Sequence, residues 1–406
     1  MGLVPLVLGE GTRMAQMVPE RIETVDSLRG FALFGLFIVH MLEYFELYWA
    51  QPPAVPGAIH QIVFGLFGGK AFALLALCFG FSFHILFARA RARGQDFAGR
   101  FAWRMALLFV IGWVHGMVYR GDIIMLLALF GLLLIPVDRL RSNRLLLAFA
   151  LLCFMQPMLL ARLAVAAAGL SWGLAAPGYY SDPAMAAYVS GSLPEVLHAN
   201  LWVGQLAKWS FYLETGRVFQ MFGLFLMGVL AGRTGFFAAE GVRGRRLALP
   251  SGLALAALIL AWLLRAHLAS AYGEAPGVGL QTRLLASAWV ELSATALTAV
   301  LFLWAWTGPL RRLQALLVAP GRLTLTLYVG QSILFVPIFY GFGLGAYRWM
   351  GQGGALMLGL LAFALQAIWA RRWLARYHYG PLEWLWRAGT YRAFIPFRRD
   401  VPLTAR

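Results

Sequence analysis

Residues 21–49 read RIETVDSLRGFALFGLFIVHMLEYFELYW, and the reading of this stretch decides the fold. Asp26 and Arg29 stand at the mouth of an apolar helix that carries His40 and Glu43 in its far half. Arg29 and His40 are eleven residues apart, just over three turns at about 3.6 residues per turn, so they share a face. Their i,i+3 partners Asp26 and Glu43 fall close to it. An ionisable group inside a bilayer costs roughly 2.5–3.5 kcal/mol on insertion scales and persists mainly where it faces a protein interior or a wet cavity. The helix therefore reads as lining a polar chamber whose walls are the rest of the chain.

Composition supplies the setting. Of 406 residues, 61% are hydrophobic and 13% charged, and the mean hydropathy of +0.72 excludes a soluble globule. A span needs ~20 apolar residues, so the length accommodates roughly ten helices of a polytopic, all-α membrane protein. The net charge of +17 comes from arginines in short connections, which is what topology control requires. It points to no nucleic-acid partner. Lys70 and Lys208 are the only lysines. Cys78 and Cys153 lie inside apolar runs and read as small core residues, not as a disulfide framework or metal site.

Apolar runs cover about 28–48, 64–88, 101–119, 123–138, 144–168, 213–233, 247–268, 282–306, 322–341 and 354–376. Arginines alternate by side. Arg89, Arg91, Arg93, Arg100 and Arg104 fill the second connection, Arg139, Arg141 and Arg144 the fourth, and Arg233, Arg243, Arg245 and Arg246 the sixth. Arg311, Arg312 and Arg322 fill the eighth, and Arg371, Arg372 and Arg376 begin the tail. The odd connections are poor in arginine, the long 169–212 stretch holding Asp182, Glu195 and Lys208. The positive-inside rule then predicts ten spans with both termini in the cytoplasm, in the inner membrane of a bacterium. The expected organisation is a mobile tail over 1–20, helices 1–5 with the polar cluster over 21–168, an extracytoplasmic interfacial segment over 169–212, helices 6–10 over 213–376, and a basic aromatic cytoplasmic tail over 377–406. That last segment reads as attracted to anionic lipid.

On this topology Asp26 and Arg29 lie at the cytoplasmic end of helix 1. His40, Glu43, Lys70, His115, Arg120 and Asp122 converge at similar depth in the outer half, from three helices. Each has a plainer role open to it: a satisfied core histidine, a snorkelling lysine, an ion pair across a turn, or a cap and anchor for Asp26 and Arg29. Six coincident ionisable groups favour function over six separate accidents. His-Glu-x-x-His, Cys-x-x-Cys, P-loop, nucleophile-elbow and dinucleotide fingerprints are all absent from the sequence. What remains is general acid–base chemistry by histidine or ion-coupled transport. Against transport stand the lack of an inverted repeat and of an obviously broken helix pair.

Four blocks carry a family resemblance. RIETVDSLRGFALFGLFIVHM (21–41) resembles the opening of the YeiB family of bacterial membrane proteins, whose usual form has Val-Asn where this chain has Val39-His40. WRMALLFVIGWVHGMVYRGDIIMLLALFGLLL (103–134), with His115, Gly121 and Asp122, resembles its second block. GRLTLTLYVGQSILFVPIFYGFGLG (321–345), which contains Gln331, and YGPLEWLWRAGTY (379–391) resemble its C-terminal domain of unknown function. The opening is also similar to that of heparan-α-glucosaminide N-acetyltransferase. That relation implies a transmembrane acyltransferase, with acetyl-CoA or another acyl-CoA entering from the cytoplasm and a small-molecule or glycan acceptor arriving from outside. The place near Gln51 holds no histidine, so that enzyme's candidate base has no counterpart here.

The resulting expectation has His115, oriented by Asp122, as base, with His40 or Lys70 stabilising the thioester oxyanion. Arg29 with its partner Asp26, together with Arg89 and Arg104, would hold the CoA end. Glu43, Arg120 and Gln331 would face the acceptor. No metal is expected, the bilayer is the chain's surrounding, and a homodimer is left open. The alternative is a proton-coupled transporter or exporter.

Overall fold

The computed structural model describes residues 22–399 apart from 51, 54, 181–182, 238–244 and 276. The 1–20 tail, Gln51, Asp182 and Arg243 fall outside the described residues. Within them the chain forms α1 (Glu23–Leu42), α2 (Ala58–Phe67), α3 (Lys70–Ala92), α4 (Ala98–Val118), α5 (Ile124–Leu132), α6 (Leu134–Arg139), α7 (Asn143–Phe154) and α8 (Pro157–Ala167). Short helices α9 (Ser171–Leu174), α10 (Met185–Ser190) and α11 (Leu193–Leu201) lead to α12 (Val203–Glu214) and α13 (Arg217–Arg233). Then come α14 (Arg245–Tyr272), α15 (Val278–Trp306), α16 (Arg311–Ala315), α17 (Val318–Arg322), α18 (Thr324–Phe339), α19 (Gln352–Arg376) and α20 (Pro381–Tyr391).

Among the described residues, six segments are long and apolar enough to cross a membrane: α1, α2 with α3, α4, α14, α15 and α19. Three further pairs pass together but bend sharply, α7–α8 by 41°, α12–α13 by 66° and α16/α17–α18 by 79°, so the number of candidate spans rises to nine. The protein is a polytopic membrane protein. The run at 123–138 folds as α5 and α6, two short helices that pass neither test. The bends correct the expectation that broken helix pairs are lacking. Gln156 sits at φ 60° before Pro157, and Gly216 at φ 71° separates α12 from α13. Proline removes an amide donor and left-handed residues interrupt the helical ladder, so both junctions turn.

α1 is the axis of the bundle and packs against α2, α3, α17, α18 and α19. Nearly all of its residues are buried. Glycine sets the closest crossings. A Cβ on Gly321 would lie 1.7 Å from the Asp26 carbonyl oxygen, and one on Gly30 would lie 2.0 Å from that of Leu317. α17 thus meets α1 backbone to backbone, the small-residue contact that membrane helices use in place of a hydrophobic drive. Gly80 and Gly228 make the corresponding approach between α3 and α13. The first crossing brings Arg322 and Arg29 to the lining of one cavity.

Candidate functional site: an arginine-lined cavity and a buried histidine–aspartate pair

Arg29 Nη1 donates to Asp26 Oδ1 at 2.9 Å, and its other nitrogen donates to Ser82 on α3. The C-terminal helix α20 packs against α4 at the same end. Trp103 Nε1 donates to the Gly389 carbonyl (3.0 Å) and Trp386 Nε1 to that of Arg104 (2.8 Å). The Arg104 guanidinium lies 3.6 Å from the centre of the Trp386 ring, a cation–π contact. Glu383 on α20 accepts from the backbone amides of Leu325 and Thr326 at 2.8 and 3.1 Å. Those amides belong to the first turn of α18, where a carboxylate supplies the acceptor that the helix start lacks.

Arg29, Arg104, Arg322, Glu383 and Trp386 border one end of a cavity of about 260 Å³. Its walls are apolar, from Leu75, Phe79 and Phe83 of α3, Met105 and Leu108 of α4, and Leu127 of α5. Its other end is Ile123 and Tyr328. The Tyr328 hydroxyl accepts from the Ile123 amide (3.3 Å) and donates to the Gly121 carbonyl (3.2 Å). Tyr328 therefore forms a partition. Its ring centre is 5.2 Å from that of His115.

Behind the partition, His115 Nδ1 lies 2.8 Å from Asp122 Oδ1, with the two residues 4% and 0% exposed. His115 sits in the last turn of α4 and Asp122 just before α5, so a short turn folds one onto the other. The Asp122 carboxylate also accepts from the amides of Ile124 (3.2 Å) and Met125 (3.0 Å). With the carboxylate as acceptor, His115 Nδ1 carries the hydrogen and Nε2 presents its lone pair. Nε2 is buried and has no hydrogen-bond partner. This is the arrangement of an oriented general base.

His40 approaches the same place from α1. Its ring centre lies 5.2 Å from Tyr119 and 6.3 Å from Tyr328, while His115 lies 6.2 and 5.2 Å from the same two rings. Two tyrosines thus stand between two histidines, and no hydrogen bond joins the histidines directly. After α1 the chain turns through Tyr44, Phe45 and Glu46, all at positive φ. Such backbone is strained for residues other than glycine. The turn brings Glu46 into an ion pair with Arg120, and Arg120 lies 5.6 Å from the Tyr188 ring centre. Glu43 accepts from Trp49 Nε1 at 2.9 Å. Further round the layer, Arg217 pairs with Glu291 at 3.1 Å, and Glu291 packs on Gly69. The Lys70 ammonium donates to the carbonyls of Gly68 (3.0 Å) and Phe64 (3.3 Å).

The residues singled out from the sequence fall into three groups. His115, Asp122, His40 and Arg120 gather around Tyr119, with Glu43 close by through Glu46. Asp26, Arg29 and Arg104 gather at the cavity's arginine end, where Arg322 joins them. Three stand apart. Arg89 does not border the cavity. Gln331 is buried and donates to Gln366 of α19 at 2.8 Å. Lys70 is occupied by its two carbonyls. Glu46, Tyr119, Tyr328 and Lys208 escaped the sequence reading. Lys208 alone left a signal, as one of two lysines in an arginine-rich chain.

Residues 231–393 match the family described as "Protein of unknown function (DUF418)". The chain is 26% identical to the Bacillus subtilis (strain 168) protein YxaH, over 94% of this chain and 97% of that one. It is 25% identical to YeiB of Escherichia coli (strain K12), over 93% and 98% respectively. A 39.9 kDa protein in the amylase 3′ region of Bacillus acidopullulyticus is also 25% identical, over 93% and 96%. All three relatives are described as uncharacterized. The DUF418 match thus lies in the C-terminal half, and the chain is similar to YxaH and YeiB along nearly its whole length, including the opening and second blocks that surround Arg29 and His115.

Proposed function

We propose that this protein is a transmembrane acyltransferase that moves an acyl group, acetyl in the simplest case, from cytoplasmic acyl-CoA to a hydroxyl or amine acceptor. One observation carries the reading: an apolar cavity runs from Arg29, Arg104 and Arg322 to the tyrosine that abuts the buried His115–Asp122 pair. Arginines at the mouth suit the CoA phosphates, and apolar walls suit the acyl arm. Arg29 and His40 are eleven residues apart on α1, which at a rise of about 1.5 Å per residue separates the mouth from the reaction layer by ~16 Å. The acceptor reaches His115 through the charged layer of Glu43, Glu46 and Arg120. His115 Nε2 takes the acceptor's proton as its oxygen or nitrogen bonds the thioester carbon. The C–S bond then breaks, and the leaving thiolate takes the proton.

The reading includes ten spans with both termini in the cytoplasm of a bacterial inner membrane, α5–α6 serving as a short fourth span. The test is thioester turnover by the purified protein, with thiol release followed for acetyl-CoA and longer acyl-CoAs. Release that depends on His115 supports the proposal, and its absence with every donor and acceptor sinks it. The three bent helix pairs favour one second reading, a proton-coupled transporter or exporter, since interrupted helices often build transport sites. Loss of substrate efflux from cells carrying His115→Ala, with no thioester use by the wild-type protein, would replace the first reading by this one.

A further inference from the structure

Three buried side-chain atoms around the Asp122 layer have no hydrogen-bond partner: the acceptor Gln205 Oε1, His115 Nε2, and the cationic donor Lys208 Nζ. Lys208 is 4% exposed. It lies on α12, whose face at Gln205, Lys208 and Tyr212 follows i, i+3, i+7 spacing and turns toward the end of α4. Gln205 packs on Gly116, where a Cβ would meet Gln205 Nε2 at 3.2 Å and the Asp122 Cβ at 3.9 Å. One turn on, Lys208 is within electrostatic reach of Asp122, Glu46 and Arg120, yet among the described residues it forms no ion pair and no hydrogen bond. The neighbouring cations are engaged: Arg120 by Glu46, Arg217 by Glu291, and Lys70 by two carbonyls. A buried ammonium with nothing to hold is costly. A group that arrives during function relieves that cost.

We propose that Lys208 is a catalytic residue of the acyl transfer described above, receiving the thioester carbonyl oxygen while His115 removes the acceptor's proton; the proposal rests on that acyltransferase reading. As the acceptor's lone pair forms the new bond to the carbonyl carbon, the C=O π pair moves onto oxygen. The oxyanion faces the Lys208 ammonium, which keeps its proton. Collapse restores the C=O bond and expels the CoA thiolate with the C–S pair, and His115 delivers its proton to sulfur. Donors placed at a developing oxyanion act mainly on the transition state.

The experiment uses the full chain in lipid nanodiscs, with Lys208→Met, which keeps the apolar stem, and Lys208→Arg, which keeps the charge. Lys208→Met should lower kcat by ~10²–10³-fold, as loss of one oxyanion donor does, with KM for acetyl-CoA within about threefold. Lys208→Arg should recover part of the loss, and both variants should melt as the wild type does. A second readout needs no turnover. In a His115→Asn background, carbonyl-¹³C acetyl-CoA should show a carbonyl stretch shifted to lower wavenumber on binding, and adding Lys208→Met should abolish the shift. Wild-type turnover with an unimpaired Lys208→Met and an unaltered carbonyl band would remove Lys208 and leave the acyltransferase reading standing. A loss confined to KM would also overturn the assignment. No binding or turnover of any acyl-CoA by the wild type would bring down the acyltransferase reading first.

Discussion

Substituting His115 and Asp122 separately tests whether the buried pair is a base and its orienting group. Asp122 accepts three hydrogen bonds, from His115 Nδ1 and from the amides of Ile124 and Met125. An asparagine keeps one acceptor oxygen, and its NH₂ must face a donor. Oδ1 takes His115 Nδ1 and the Ile124 amide, and Oδ2 takes the Met125 amide; if the asparagine oxygen stays with Met125, the NH₂ faces Nδ1, and the imidazole has to place its hydrogen on Nε2, the wrong nitrogen for a base. The cost is a hydrogen bond to a charged group, ~1.5–3 kcal/mol, which at 1.36 kcal/mol per tenfold is about ten- to hundred-fold in rate. His115→Ala removes the base itself and should cost ~10²–10⁴-fold. Among the described residues His40 makes ring contacts and no side-chain hydrogen bond, so His40→Asn should be tolerated best of the three. Thiol release from acetyl-CoA by nanodisc-embedded protein gives the rates, and thermal melting in parallel separates misfolding from chemistry. A His115→Ala protein that turns over at full rate refutes the reasoning. A His40→Asn protein that is folded and dead moves the base to α1.

Four further outcomes follow from the same geometry. Gly321→Val drives side-chain atoms into the Asp26 carbonyl, already 1.7 Å from an ideal Cβ; it should cost ~1–3 kcal/mol and lower the melting temperature, while Gly330→Ala, which meets open space, should not. Arg29→Gln with Arg322→Gln should raise KM for acyl-CoA more than it lowers kcat, and Arg89→Gln, away from the cavity, should do neither. Burial raises the Glu383 carboxyl above its ordinary range against the opposing hydrogen bonds from Thr326 and Leu325. The docked helix α20 thus holds that proton more tightly than a released one, so docking should be firmest below the ordinary carboxylate range and weaken as pH rises through the raised value; hydrogen exchange over 381–391 measures this, and Glu383→Gln should abolish the dependence. Reporter fusions after residues 95, 140, 240 and 315 should read cytoplasm and those near 55, 190 and 275 the outside, any two reversals overturning the ten-span arrangement.

What was legible in the sequence was what is local along the chain. Asp26 with Arg29, and His115 with Asp122, are three and seven residues apart; helix geometry or one tight turn is enough to bring each pair together. Glu46 is equally close to Glu43 in sequence but was missed, because the turn that aims it at Arg120 uses Tyr44, Phe45 and Glu46 at positive φ. Such residues do not advertise left-handed backbone as glycine or asparagine would. Lys208 was missed for a different reason. Its helix continues past Gly216 into α13 at a 66° bend, and only that bend together with the Gly116 contact determines which face of α12 meets Asp122. The cavity depends on still longer range, since its arginine end exists because Gly30 and Gly321, distant in the chain, let two backbones touch. Residue types alone disclosed the histidine and its carboxylate. The buried Lys208, the tyrosine partition and the cavity bordered by the arginines came from crossings between helices, so the proposed chemistry requires the α1–α17 crossing as well as His115. A Gly321 variant that kept the bundle folded but separated those helices should therefore impair acyl-CoA use while leaving the 2.8 Å His115–Asp122 bond in place.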